Sequence, residues 1–184
     1  MEQKNGEIIL FGYGAFIAEE SAGIAHLDKL MRDPYTKIAD VRLKPYSPDF
    51  IIWNGGMLKN RYGYDATGKS RYVHIEELGN LNYRKEDREK GFALQDKEIG
   101  LSRLILALSF GWRLVVLCGC KYYDSCHRKL VAQLLLSELP NTKITHVELV
   151  ERETPDNVAS RPVDAPIEQV ALFEVPTTYQ HWDR

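Results

Sequence analysis

What this chain lacks narrows its class first. Three cysteines among 184 residues are too few for a disulfide framework, and an odd number with two spaced C-x-C suits a reducing compartment. No long apolar run precedes the first glycines, so neither a signal peptide nor a membrane anchor is expected there. Neither sign of charge dominates: 24 Lys and Arg stand against 26 Asp and Glu, a formal net charge of −2. That balance argues against a nonspecific nucleic-acid coat and leaves room for a local basic patch. With 13 Gly, 8 Pro, no internal repeat and no low-complexity segment, the chain is neither collagen-like nor disordered. What remains is 44% hydrophobic and 27% charged, the composition of an ordinary globular protein. A chain this long buries roughly two-thirds or more of its unfolded surface, so its core needs no disulfide or metal. A cytoplasmic protein without a membrane partner is the expectation.

Strand-like and helix-like signals alternate along the chain. Residues 7–11 (EIILF) form an apolar run that ends at Gly12-Tyr13-Gly14, as a buried strand entering a turn does. Residues 21–31 place Ile24, Leu27, Leu30 and Met31 on one helical face. Strands are expected at 37–43 and 71–75, with a loop-rich stretch from Lys44 to Ser70 between them. A charge-dense segment at 83–97 reads as a solvated helix, and 98–109 as a second helix with apolar spacing. Residues 113–118 (RLVVLC) are a continuous apolar run, typical of a central parallel strand. A helix at 126–137 and a strand at 144–150 follow it, completing a crossover unit. The fold class is therefore α/β, with a mainly parallel central sheet and helices on both faces. A single core domain should span 1–150. The Pro-rich remainder, 151–184, is expected as an irregular extension packed on that core, with one late strand candidate at 170–175.

The densest chemistry lies between the central strand and its helix, at Cys118-Gly-Cys-Lys-Tyr-Tyr-Asp-Ser-Cys126-His127-Arg128-Lys129. Ligands of open α/β sheets collect outside the carboxyl ends of the strands. With Asp124 or Ser125 as N-cap, Cys126 through Lys129 fill the first helical turn. Three basic residues there oppose the helix dipole, which points to an anion site with backbone N–H groups as further donors. The same field makes Cys126 a candidate nucleophile. A small buried thiol and a solvated basic face are the plainer alternatives. Three cysteines with His127 also invite a metal. Adjacent helical residues point about 100° apart, however, and the paired C-x₂-C spacing is absent, so neither metal nor cofactor is expected.

Weaker signals lie elsewhere. Gly12-x-Gly14 suits either close backbone approach to a ligand, with Tyr13 beside it, or a tight turn. In Asp40-Val41-Arg42 the arginine is either half of a charged pair or a clamp for the ligand. Alternation places Tyr72, His74 and Glu76 on one strand face, with Glu77 next. The stretch from Lys44 to Tyr64 mixes aromatic and basic residues, which either grip a nucleotide or single strand or pack beneath a long loop.

Taken in order, Gly12-Tyr13-Gly14, Asp40-Val41-Arg42 with Pro45 and Ser47, Tyr72-x-His74-x-x-Glu77-Leu78-Gly79, and Leu117-Cys118 followed by Cys126-His127-Arg128-x-Leu130 resemble a known family. It is family 488 of the domains of unknown function, and the resemblance runs from about Glu7 to Val150. It implies an α/β fold whose shared polar residues gather at one sheet edge, and it implies no particular reaction. Two departures stand out. Cys120 occupies a position where many relatives carry an acidic residue, and the segment from Lys44 to Ser70 is individual.

Two functional readings follow. In the first, the protein is an enzyme acting on a nucleotide or other phosphorylated small molecule. Arg128 and Arg42 hold the anion, and Tyr13, Tyr72 and Cys118 line the ligand. Cys126, His127, His74 and Glu77 supply nucleophile and acid–base groups. In the second, the same basic edge binds nucleic acid or a regulatory partner without catalysis. The density of titratable groups at one strand end favours the enzyme.

Overall fold

The computed structural model describes residues 6–149 and 170–173. Six strands, β1 (Glu7–Gly12), β2 (Thr36–Asp40), β3 (Tyr72–His74), β4 (Arg113–Cys118), β5 (Lys143–Leu149) and β6 (Val170–Phe173), build one sheet in the order β3-β2-β4-β1-β5-β6. Every neighbouring pair is parallel. Four α-helices accompany them among the described residues: α1 (Glu20–Met31), α2 (Gly55–Tyr62), α3 (Lys97–Ser109) and α4 (His127–Glu138). The α/β class with a parallel sheet is thus the observed one. No helix among the described residues is long and apolar enough to cross a membrane.

The period-2 alternation of strand side chains divides the core into two layers. Ile8, Leu10, Leu114 and Val116 face one side, where Leu104 and Leu108 of α3 and Val131 and Leu135 of α4 cover them. Ile9, Phe11, Val115 and Leu117 face the other, against Ile24 and Leu27 of α1, Leu58 of α2 and Trp53. Because β1 and β4 are buried on both faces, their sequences read as unbroken apolar runs. The connection after β1 leads through α1 to β2, beyond β4. The connection after β4 leads through α4 to β5, beyond β1. The chain therefore departs in opposite directions from two adjacent strands, and a crevice opens where they end, at the paired residues Gly12 and Cys118.

Three expectations change. The stretch from Lys44 to Ser70 holds a 3-10 turn at Ile51–Trp53 and the helix α2. Gly55, Gly56, Lys59 and Asn60 dilute its pattern, and only Leu58 and Tyr62 among its large side chains reach the core. The charged segment at 83–97 is no solvated helix. It contains a 3-10 helix at Lys85–Lys90 and then runs irregularly to α3, since a segment with no apolar stripe has nothing to dock on the core. The third concerns the start of α4. Neither Asp124 nor Ser125 caps it; Cys126 does, with extended backbone angles (φ −122°, ψ 140°), and its sulfur accepts the Arg128 N–H. Of the extension at 151–184, the described part is β6, paired with β5.

Candidate functional site

The carboxyl ends of β2, β4 and β1 bring together two polar groups, one on each side of the crevice. The first grows from β2. Asp40, fully buried, accepts both arms of Arg42, with Nε at 2.8 Å from Oδ1, and the Tyr72 hydroxyl at 2.8 Å from Oδ2. Arg42 in turn donates to the Tyr13 hydroxyl at 3.3 Å. Burial opposes the charged guanidinium, but its hydrogen bonds to the Asp40 carboxylate outweigh that and raise the Arg42 pKa. Burial, then the Asp40 charge, push the Tyr72 hydroxyl upward, and burial does the same for Tyr13. The charged-pair reading of Asp40-Val41-Arg42 is the observed one. Arg42 also borders the cavity described below.

The second group grows from the β4–α4 turn. Cys118 Sγ lies 3.6 Å from Cys120 Sγ and 3.8 Å from His127 Nδ1, and Cys126 Sγ lies 4.0 Å from the same nitrogen. The four donor atoms all lie within 4.8 Å of one another. The sequence argument that Cys126 and His127 must diverge fails here because Cys126 is the cap, not a helical residue, and its side chain does not follow the helical step. On the far side of the imidazole, Nε2 sits 2.9 Å from the Val41 carbonyl. A carbonyl only accepts, so Nε2 carries a proton and Nδ1 is turned to the sulfurs. Hydrogen bonds from Cys120 and Cys126, aided by His127, hold the Cys118 thiol well below its ordinary pKa despite burial. Burial opposes the charged form of His127, but the neighbouring Cys118 outweighs it and raises the imidazole pKa. Cys120 is pushed up by its hydrogen bond with Cys118.

Arg128 belongs to this second group and not to the solvent. It is 2% exposed, its Nε reaches Cys126 Sγ at 3.1 Å, and one terminal nitrogen donates to the Cys120 carbonyl at 3.3 Å. Gly12 exists to admit it. A Cβ there would collide with the guanidinium and the Cys120 carbonyl, and one on Gly14 would collide with the backbone at Gly119. The close approach expected of Gly12-x-Gly14 is therefore made to the protein's own β4–α4 turn.

Between the two groups opens a cavity of about 810 Å³, bordered by Arg42, Lys44 and Lys121, by Cys118, Cys120 and His127, and by Tyr46, Tyr83, Phe92 and Tyr122. No carboxylate borders it among the described residues. Compared with family models, curated proteins and solved structures, the chain finds no match.

Several expected site residues take other places. Cys126 is fully buried and stays behind its neighbours, so it is not the exposed thiol of a helical first turn. His74 donates through Nε2 to the Arg42 carbonyl at 2.7 Å, outside the cavity, where it shapes the turn after β2. Glu77 binds Arg103 of α3 through both carboxylate oxygens at 2.8 Å and is likewise absent from the cavity wall. Glu76 starts a 3-10 turn and leaves the strand face shared by Tyr72 and His74. Of the four groups expected to do chemistry, His127 alone borders the cavity, with Cys118 beside it. Lys121, Asn80, Tyr83, Phe92 and Tyr122 were not among the expected residues. The mixed basic and aromatic composition of 44–64 was the signal for Lys44 and Tyr46, whereas nothing local marks Phe92 or Asn80.

Proposed function

We propose that the protein is an enzyme of the cytoplasm that binds a nucleotide or chemically similar phosphorylated small molecule in this cavity. One observation carries the reading: three cationic side chains and four aromatic ones border a space that no described carboxylate enters. A cationic rim suits phosphate, and aromatic faces suit a base. The cavity also lies beyond the carboxyl ends of β2 and β4, and open parallel sheets hold ligands outside the carboxyl ends of their strands. Arg42 is held rigid by Asp40, so it offers a fixed direction, while the exposed Lys44 supplies charge. The inner end of the ligand faces Cys118 and His127. The free thiols fit a reducing compartment, and the ordered motifs support membership of family 488.

Calorimetric titration tests the proposal with nucleoside monophosphates, the matching nucleosides and inorganic phosphate. Nucleotides should bind at least tenfold more tightly than nucleosides, and Lys44→Glu with Lys121→Glu should abolish that advantage. Absence of binding by all three at millimolar concentration would remove the reading. Tighter binding of short single-stranded oligonucleotides than of any mononucleotide would transfer the cavity to the nucleic-acid alternative.

A further inference from the structure

We infer that Cys118, Cys120, Cys126 and His127 form a tetrahedral zinc site. The donor set is three sulfurs and one imidazole nitrogen, a soft set that favours Zn²⁺ in four-coordinate geometry. Zinc–sulfur bonds of about 2.3 Å and zinc–nitrogen bonds of about 2.0 Å require edges of about 3.8 Å between sulfurs and about 3.5 Å between sulfur and nitrogen in a tetrahedron. The observed separations of 3.6, 3.8 and 4.0 Å lie within a few tenths of an ångström to half an ångström of those edges. The other three separations are all within 4.8 Å, so binding asks the donors to draw together by at most about 1 Å.

Two independent features prepare the site. The Val41 carbonyl takes the Nε2 proton of His127 at 2.9 Å, which leaves the Nδ1 lone pair facing the sulfurs and fixes the ring. The other is Arg128. It is a buried guanidinium with no carboxylate partner among the described residues, and its Nε lies 3.1 Å from Cys126 Sγ. A buried positive charge needs an anion. Zn²⁺ with three thiolates carries a net charge of −1, and Arg128 makes that unit neutral. The Arg128 backbone N–H adds a donor to the same sulfur. With four protein donors the centre is closed, and its role is to fix the eight-residue β4–α4 turn that supplies Lys121 and Tyr122 to the cavity. When loaded, it occupies Cys118 and His127, so the inner end of a bound ligand faces a metal–thiolate centre and not a free thiol.

The inference does not depend on the ligand reading: a zinc-loaded chain that binds no nucleotide would retain it. The test uses the full chain without a histidine tag, prepared under reducing conditions. After dialysis with zinc and removal of excess, elemental analysis should give one zinc per chain. Cobalt in its place should show thiolate-to-metal charge transfer in the near ultraviolet and the intense visible bands of a tetrahedral ion. Cys120→Ser, at a half-buried turn position that spares the core, should keep the native circular dichroism and lose zinc affinity at least tenfold. Arg128→Lys should weaken zinc binding less than Cys120→Ser. Substoichiometric metal after loading, octahedral cobalt bands, or unchanged affinity in folded Cys120→Ser would each overturn the site.

Discussion

Arg42 and Arg128 are both buried guanidiniums, but they are neutralised in different ways. Arg42 has a carboxylate partner, and that partner is more deeply buried than the arginine itself. Removing one member of such a pair leaves an uncompensated charge and costs about 3–5 kcal/mol. Asp40 would keep its hydrogen bond from Tyr72, so Arg42→Ala should fall near the lower end, about 3 kcal/mol, in urea denaturation at neutral pH. Asp40→Asn in the same chain should recover part of the loss, because the stranded charge is gone. A loss well under 1 kcal/mol, with no recovery, would mean that Asp40 does not rely on Arg42. This cost is also why Lys44 and Lys121, not Arg42, are the residues with which to test binding. At this scale the sequence placed Cys126, His127 or Arg128 near Arg42 with His74 or Glu77 close by, since parallel strands deliver their carboxyl ends to one edge; Arg42 and His127 do border one cavity, whereas His74 and Glu77 stay outside its wall. It could not show that Arg128 turns inward, because that depends on the missing Cβ of Gly12 far away in the chain. Nor could it show that the thiols converge, because that depends on the extended angles of a single cap residue.

Among the elements, those that a core defines were legible, and those that a cap or a tertiary contact defines were not. β1, β4 and α4 carry apolar patterns strong enough to be read directly, whereas α2 offers the core only two large side chains and was read as loop. α3 combines both cases. Its apolar spacing marked it, but its start depends on Asp96, whose side chain accepts the Ile99 N–H at 3.1 Å. That bond satisfies one of the donors left open at a helix start. Replacing such a cap with alanine costs about 1 kcal/mol, so Asp96→Ala should lower the stability by that amount and Asp96→Asn by much less. Equal losses in the two variants would place the effect in the carboxylate charge at the helix start and not in the cap hydrogen bond. Because Arg103 of α3 holds Glu77 through both carboxylate oxygens, a frayed α3 start should loosen the turn after β3 before it disturbs the sheet. Amide exchange near residues 76–79 should report that order.

For the whole molecule, the two-layered core around β1 and β4 follows from their unbroken apolar runs, and the crevice follows from the directions in which the chain leaves them. The titration behaviour does not follow from sequence, because it depends on which histidines those layers enclose. His146 on β5 is buried edge-on against Tyr123, and burial together with the Arg128 charge pushes its pKa down to about 4, with Asp124 opposing weakly. His26 on α1 is lowered in the same direction, mainly by burial and then by Lys29. In the unfolded chain such a histidine titrates near the ordinary value of about 6.5. Between that pH and about 4 the unfolded state therefore binds the additional proton, and stability must fall as the pH falls. For His146 alone the loss across the window is at most roughly 3 kcal/mol. In the metal-free chain His127 acts in the opposite sense. Its raised pKa contributes stability below the ordinary value, and that contribution disappears only as the pH rises through the folded value, on the alkaline side of the His146 window. Urea denaturation at pH 7, 6, 5 and 4.5 should thus show a steady decline in the natural chain. His146→Leu lacks the buried base, so its decline should be shallower, and the stability difference between the two chains should shift in favour of the variant as the pH drops. Parallel curves would mean that His146 is protonated in the folded protein and that the acid loss belongs to other groups.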